Sequence, residues 1–559
     1  MLRRPLVLFT ELLLIAAVLG SLGLALPREG PVQAAGSPLP EDAQKSAYRL
    51  EAPSPTGTLS AATLNCRYGL AAWDPALSAV RPDLWWGLGW YLTFSASGTA
   101  VGGMEFLRMV STKQDKYWNG STWVFLGTYK VTPPLNDDPS GLGALVHAHP
   151  GSWWAIGNEP DRGPDPCPGC PGQDAIFPDL YAQAYHTVYH FIRERDPSAR
   201  IGPGGLVQVT PGRLQYLDRV WQGYQARYGV SMPLDFWTFH VYILPEINRY
   251  GQGSSAGIAL GTDPALAMRE SDGKRTLCHN PNNNVYCWAD HDDLTLFDQQ
   301  VRRMRQWMKE HGLQDKPLWL TEYSILHPFE DYDDPVHPTR CWLQDEFGKC
   351  FTPARVTQWL NQTFAYLEST TDPVLGNPAD RYRLVQRWAW FSLRVDTSTA
   401  GYVSNIVTGT YYAMTPVGES FRQEVLGHPA RVNLLAYQAS PEIAYSDPSG
   451  VVTVTFSFRV ANNGDVTLAA PVTVTWYADE SLSVPLASTT LSGLPGCATS
   501  ALVTATGVLT EGAGAVPYWV KVDATDALPE FDEADNVAQS VVLIDPVQAY
   551  LPLIMRRGP

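Results

Sequence analysis

Two glutamates in this sequence stand where acid–base or nucleophilic chemistry can be built. The run Trp153-Trp154-Ala155-Ile156-Gly157-Asn158-Glu159-Pro160 reads as an apolar strand that stops at Glu159, because Pro160 has no N–H to extend a ladder. The run Leu318-Trp319-Leu320-Thr321-Glu322-Tyr323 reads as a second apolar strand with Glu322 at its end. By period-two alternation Ala155, Gly157 and Glu159 share one face, as do Leu318, Leu320 and Glu322. Hydrolysis of a glycosidic bond needs this pairing: one carboxyl protonates the leaving oxygen, and the other attacks or activates water across the sugar ring. A lone Glu at a strand end is ordinarily just solvated. Two of them, each closing an apolar strand, carry more weight. His240 and Tyr242 share a strand face with Thr238 and are expected at the same mouth. There they would orient a nucleophile or bind sugar hydroxyls; the competing expectation is a pair of satisfied buried polar residues.

Such side chains need a scaffold that gathers strand ends. From residue 64 to 427 short apolar runs alternate with helical patterns. Strands are expected at 68–73, 85–94, 106–111, 153–158, 201–207, 236–242, 318–323 and 388–393, and helices at 180–194, 214–228, 297–311 and 353–368. Eight strands with intervening helices fit an α/β fold of the (β/α)8 TIM-barrel type, whose active sites sit at the C-terminal ends of the strands. Glu159 and Glu322 then close strands four and seven. A doubly wound sheet is the competitor, but no Gly-x-Gly-x-x-Gly follows an early strand. Residues 432–545 change character: alternating runs at 451–460, 472–476 and 516–522, separated by turns such as Asn462-Asn463-Gly464, predict an all-β sandwich.

Composition narrows the partners. The chain has 559 residues and a net charge of −16, with no Lys/Arg run, which argues against nucleic acid. Its 19 Trp and 26 Tyr supply flat rings of the kind that stack on sugars, although most are expected in cores. Residues 1–35 look like an export segment or anchor: Arg3 and Arg4 precede an apolar run from Leu12 to Leu26, and Val32-Gln33-Ala34-Ala35 offers a cleavage site. Residues 36–63 read as a linker and 546–559 as a tail. Eight cysteines fit an oxidising, extracellular location. Three local pairs are disulfide candidates, Cys167/Cys170, Cys278/Cys287 and Cys341/Cys350, in segments following strands four, six and seven. Cys66 and Cys497 are left over, in different regions. The acidic runs 290–293 and 330–334 lack EF-hand spacing and are expected to be solvated loops. No zinc-ligand spacing and no Gly-x-Ser-x-Gly elbow occurs, so no metal and no cofactor is expected.

These residues also carry a family resemblance. Asn158-Glu159-Pro160 on strand four, with a Glu ending strand seven, looks like the retaining glycoside hydrolases of clan A. Asn158-Glu159-Pro160-Asp161, Asp235-Phe236-x-x-Phe239-His240-x-Tyr242, Trp319-x-Thr321-Glu322-Tyr323 and Ala389-Trp390-Phe391 together resemble the Asl1-like group, which includes family 128 β-1,3-glucanases. The resemblance spans roughly 64–427, with its motifs at strand ends; the long insertions after strands three, six and seven depart from the compact pattern. It implies Glu159 as general acid/base, Glu322 as nucleophile, and Asn158 as a partner of the sugar 2-OH. It also implies that Glu159 holds its proton more tightly than Glu322 in the free site. Trp390 resembles the platform under the reacting sugar, with Trp90 a weaker candidate for the same contact and Trp388 a core residue on the same strand face. Residues 432–545 resemble a CARDB-type immunoglobulin-like domain through Val460-Ala461-Asn462-Asn463-Gly464-Asp465 and Glu530-Phe531-Asp532-Glu533-Ala534-Asp535-Asn536. A spacer role is expected for it, with possible cell-surface attachment. The resemblance implies a secreted hydrolase of a β-linked polysaccharide, with β-1,3-glucan the best guess. The alternative is an inactive surface protein that binds carbohydrate.

Overall fold

The computed structural model describes residues 64–546 apart from 73–86, 99–100, 164–172, 255, 328–342, 397–399, 409–412, 429, 439–440 and 510–513. The segments expected to be leader and linker, the tail from 547, and Cys167, Cys170, Cys341 and the acidic run 330–334 lie outside these residues. No helix among the described residues is long and apolar enough to cross a membrane.

Eight parallel strands form a near-closed barrel: β1 (Asn65–Ala71), β2 (Leu88–Leu92), β3 (Glu105–Trp118), β5 (Trp153–Ile156), β6 (Arg200–Pro203), β7 (Trp237–His240), β8 (Leu318–Tyr323) and β9 (Arg387–Phe391). Their order is β6-β5-β3-β2-β1-β9-β8-β7. One seam, between β6 and β7, has no strand ladder. Pro203 has no N–H to give there. Side chains and a loop amide stitch the seam instead: Asp235 N–H donates to Ile201 O at 2.8 Å, Ile201 N–H to Asp235 Oδ2 at 2.8 Å, and Thr238 Oγ1 to Pro203 O at 2.6 Å.

Alternation sorts each strand's side chains into two layers. Outward residues such as Tyr68, Trp154, Phe239, Leu320 and Trp388 pack under the helices. These are α1 (Leu142–Ala148), α2 (Pro178–Arg195), α3 (Pro211–Tyr228), α4 (Leu294–Glu310), α5 (Pro353–Ser369) and α6 (Pro416–Gly427). Helix α4 starts where Asp293 accepts from Thr295 N and Leu296 N, and it buries Phe297, Val301, Met304 and Met308 along one stripe. Helices α2, α3, α5 and α6 each begin on a proline, which fixes φ and lacks an N–H the first turn cannot use. Inward residues plug the barrel floor with aromatics: Trp319 lies 4.6 Å from Trp153 and from Phe236, and 5.2 Å from Trp90. The Arg387 guanidinium sits 4.3 Å over the Trp319 ring.

Strand β3 runs on past the barrel and pairs antiparallel with β4 (Trp123–Thr132), an excursion that the sequence shows only as a long insertion after strand three. Residues 434–544 form two further sheets. One has the order β10 (Leu434–Gln438), β12 (Val452–Asn462), β15 (Thr499–Leu509). The other runs β11 (Glu442–Ala444), β17 (Val537–Ile544), β16 (Gly514–Lys521), β13 (Val472–Tyr477), β14 (Pro485–Leu491). Val452, Val454, Phe456, Phe458 and Val460 point into a shared apolar core with Trp476, Tyr518 and Val542.

This all-β region is bonded to the N-terminal end of β1, the end away from the strand tips. Cys66 and Cys497, left over in the local pairing, form a disulfide across 431 residues. Beside it every N–H of the Arg67 guanidinium is used: Nε donates to Asp465 Oδ1, NH1 to Asp380 Oδ2 and Gln386 O, NH2 to Asp380 Oδ1 and Asn463 O. Arg381 adds ion pairs to Asp532 and Asp535.

Candidate active site

Glu159 and Glu322 both arrive at the barrel mouth, by local backbone devices rather than by plain alternation. Strand β5 ends at Ile156, and the chain turns through positive φ at Gly157 (+89°) and at Glu159 itself (+47°). The turn is held by Glu159 N–H donating to Gly205 O at 2.9 Å and Asn158 N–H to Asp174 Oδ2 at 3.0 Å. On β8 the expected face is corrected. Leu318 and Leu320 face the helices, and strict alternation would send Glu322 with them. The register slips between Leu320 and Glu322 against β7, and between Leu320 and Tyr323 against β9. That irregularity turns Glu322 inward, as bulges beside active sites commonly do.

His240 lies between the two carboxylates. Its Nδ1 is 3.2 Å from Glu159 Oε1 and its Nε2 is 3.4 Å from Glu322 Oε1. One oxygen of each glutamate and one His240 nitrogen all fall within 4.8 Å of one another. Tyr242 Oη donates to Glu322 Oε2 at 3.2 Å. Arg162 NH1, unnoticed in the sequence, ion-pairs with Glu159 Oε2 at 3.2 Å. Room for the imidazole comes from Gly205, where a Cβ would stand 2.6 Å from His240 Nε2. Glu159 and Glu322 keep only 4% and 6% of their surface exposed.

Asn158 Oδ1 in this buried cluster makes no hydrogen bond, and His240 Nε2 and Glu322 Oε1 make none beyond facing each other at 3.4 Å. Buried polar groups are nearly always paired, so the one acceptor here that faces no partner, Asn158 Oδ1, is the group a ligand hydroxyl could meet. The rest of Asn158 is fixed, since its Nδ2 donates to Gln173 Oε1 at 3.0 Å.

The electrostatics correct the expected order of the two carboxyls. For Glu159, burial alone would raise the pKa, but the hydrogen bond from His240 and the charges of Arg162 and His240 outweigh it and hold it below its ordinary value. For Glu322, burial dominates and pushes it up to about 7, with the Glu159 charge adding to the rise. For His240, burial would lower its pKa, but Glu322 and Glu159 raise it above the usual imidazole range. The empty site therefore keeps a proton near Glu322 rather than on Glu159. A divalent cation would have to compete here with Arg162 and with the His240 proton, so the cluster is a poor metal site.

Behind the mouth lies a second network that the sequence did not reveal. Fully buried Arg213 donates to Asp161, to Glu246 Oε1 at 2.7 Å, and to Ala256 O and Gly257 O at 2.8 Å. Glu246 also accepts from Thr210 Oγ1 and Met268 N–H. One guanidinium thus ties the loops after β5, β6 and β7 together, directly under Glu159.

Two expected sugar contacts are not at this mouth. Trp390 is fully buried in the layer under the helices, 5.3 Å from Tyr323, and its Nε1 donates to Ser404 O at 2.8 Å. It shares the outward face of β9 with Trp388; the inward position belongs to Phe391, 6.5 Å from Tyr242. Trp90 is fully buried in the barrel floor against Trp319. Asn158, His240 and Tyr242 are at the mouth.

Of the loop features, Cys278–Cys287 forms a disulfide and Cys350 is disulfide-bonded. The run 290–293 is not solvated as expected. Asp290 accepts from Cys287 N–H and His279 N–H, Asp292 pairs with Arg355, and Asp293 caps α4. His279 with Asp290 and Asp293 could hold a metal by composition, but both aspartates are already committed to backbone amides.

No family model matches the chain, and no curated protein matches it. Among solved structures, a CARDB domain from Pyrococcus furiosus aligns at 18% identity over 20% of this chain and 89% of that one, with a TM-score of 0.17. A family 51 α-L-arabinofuranosidase from Bifidobacterium longum aligns at 14% identity over 64% of this chain and 66% of that one, TM-score 0.28. A Bacteroides uniformis β-glucuronidase aligns at 10% identity over 82% of this chain and 42% of that one, TM-score 0.28. The chain thus spans less than two thirds of either enzyme. At such TM-scores nothing about its chemistry follows from them.

Proposed function

We propose that this chain hydrolyses a β-linked polysaccharide by double displacement, with Glu322 as nucleophile and Glu159 as acid/base. The observation that carries this reading is the approach of the two carboxylates to within 4.8 Å with a His240 nitrogen in the same space. Retaining glycosidases hold their carboxyls ~5–5.5 Å apart, whereas inverting enzymes leave ~6.5–9.5 Å for a water. In the first step a Glu322 oxygen attacks the anomeric carbon, the glycosidic C–O bond breaks, and the Glu159 proton goes to the leaving oxygen. In the second, Glu159 takes a proton from water, whose oxygen attacks the same carbon and releases Glu322. Asn158 Oδ1 is the free acceptor for a sugar hydroxyl beside this carbon.

Because the empty site keeps its proton near Glu322, the first step needs that proton on Glu159. His240 spans the two, with Nδ1 facing Glu159 Oε1 and Nε2 facing Glu322 Oε1, so its ring is the route by which a proton reaches Glu159. The same electrostatics favour one second reading, in which the glutamates exchange roles. Residues 64–427 are proposed as the catalytic unit and 432–545 as a fixed attachment at its far end. The disulfides support an extracellular setting.

The test is a panel of β-1,3-glucan, β-1,4-glucan, xylan and mannan with product analysis, followed by azide rescue on an activated aryl glycoside. Glu159→Ala with azide should give a glycosyl azide of retained configuration, and Glu322→Ala one of inverted configuration. The opposite pattern establishes the exchanged roles. No turnover of any glycan by the wild type sinks the enzyme reading and leaves a carbohydrate-binding surface protein.

A further inference from the structure

A histidine with neither ring nitrogen paired follows β8 and takes no part in the chemistry above. His327 is 4% exposed, yet neither ring nitrogen has a hydrogen-bond partner. Its neighbour His291, with ring centroids 4.4 Å apart, is already committed: Nε2 accepts from Leu326 N–H at 2.9 Å and Nδ1 faces Ile243 O. Burial, then the nearness of His291, holds His327 well below the ordinary imidazole range, so it is neutral and offers one donor and one acceptor. Leaving both unmet inside a protein is costly unless something else meets them.

The position of His327 indicates what that is. It follows Glu322 by five residues on the segment leaving β8. Its ring stands perpendicular to that of half-buried Trp288 at 4.8 Å. Trp288 and Leu326 pack on one apolar cluster with Tyr242, whose hydroxyl binds Glu322. An apolar patch thus runs from the nucleophile to a flat indole and an uncommitted neutral imidazole. Among the described residues, the cation that acts on His327, Arg355, is already paired with Asp292 and Asp345. A flat apolar ring beside a neutral donor–acceptor pair matches a pyranose: one face to stack, and vicinal hydroxyls to bond.

We propose that Trp288 and His327 form a neutral-sugar subsite flanking Glu322, with His327 binding hydroxyls of the next residue of the glycan. This rests on the glycosidase reading and adds a substrate class to it: a chain of uncharged pyranoses, bound beyond the sugar that reacts.

The experiment separates binding from packing with an apolar ring of similar shape. His327→Phe and Trp288→Ala are compared with wild type on β-1,3-glucan, β-1,4-glucan and β-mannan hexasaccharides, following KM, kcat and thermal midpoint. Affinity is measured in parallel by calorimetry in the Glu322→Gln background. His327→Phe should raise KM, and weaken binding of whichever hexasaccharide is the substrate, roughly tenfold, as loss of one or two hydrogen bonds does. Its thermal midpoint should hold or rise, because a desolvated imidazole has gone. Unchanged KM and affinity with a raised midpoint would show the imidazole to be packing alone and overturn the subsite, while wild-type turnover kept the glycosidase reading intact. If His327→Phe fails to fold, His327→Asn must show the same loss of affinity, and normal binding by that variant overturns the subsite equally. Binding of none of the three hexasaccharides to the Glu322→Gln protein overturns the subsite, while wild-type turnover on the full panel decides the glycosidase reading separately.

Discussion

Two buried polar clusters at opposite ends of the barrel are satisfied to different degrees. At the N-terminal end all the Arg67 donors are matched by Asp380, Asp465, Gln386 and Asn463. At the C-terminal end Asn158 Oδ1 and both nitrogens of His327 have no partner, and His240 Nε2 and Glu322 Oε1 face only each other. Each end is similarly buried, so burial does not explain the difference. The Arg67 cluster bonds the protein to itself across the Cys66–Cys497 junction. On the proposed function, the open groups of the upper cluster are the ones a substrate would meet.

The comparison can be broken at either end. The largest effect is expected from Glu322→Ala, which should cut kcat at least about 10⁴-fold, as loss of a reacting group does; glycan turnover within tenfold of wild type would remove the upper end's purpose. Next comes Arg67→Ala, which leaves Asp380 buried without its main partner. Chemical denaturation should show a loss of about 3–5 kcal/mol. A loss below about 1 kcal/mol, the value of a surface pair, would mean the lower network is ornamental. Removing the long disulfide with paired Cys66→Ala and Cys497→Ala should cost about 2–5 kcal/mol by the same measurement.

The smallest effect concerns pH and comes from Glu322. Its folded pKa, about 7, lies above its ordinary 4.5. Between those values the folded protein keeps a proton that the unfolded chain has released, so stability falls as pH rises through the window. Glu322→Gln removes that penalty. Its thermal midpoint should match wild type below pH 4.5, gain on it across the window, and hold a constant lead above about 7. No gain at any pH would mean Glu322 is not strained in the empty site.

Much of the barrel was legible because its strands are short apolar runs with little ambiguity of period. All eight expected strands and all four expected helices are present within a few residues. What failed was parity. Counting alternate residues sent Glu322 to the wrong face, since nothing in Leu320-Thr321-Glu322 announces a slip of register. The same counting should have separated Trp390 from the inward Ala389 and Phe391, and the resemblance overrode it. Trp90 does face inward, but at floor depth, and depth is not written in alternation. Arg162 and Arg213 act through loops, where spacing along the chain says little about neighbours in space. The proton order of the two glutamates turned on the His240 hydrogen bond to Glu159, the Arg162 charge and the burial of Glu322, none of which spacing along the chain reveals.

The Cys66–Cys497 bond makes a covalent ring of nearly the whole barrel and most of the region after it. A protease that nicks any one exposed loop inside that ring cannot release a fragment, because the two pieces stay tied through the sulfurs. Such a molecule would migrate as one band without reductant and as two with it. The ring also sets an order of manufacture: it can close only once the chain has grown 431 residues beyond Cys66.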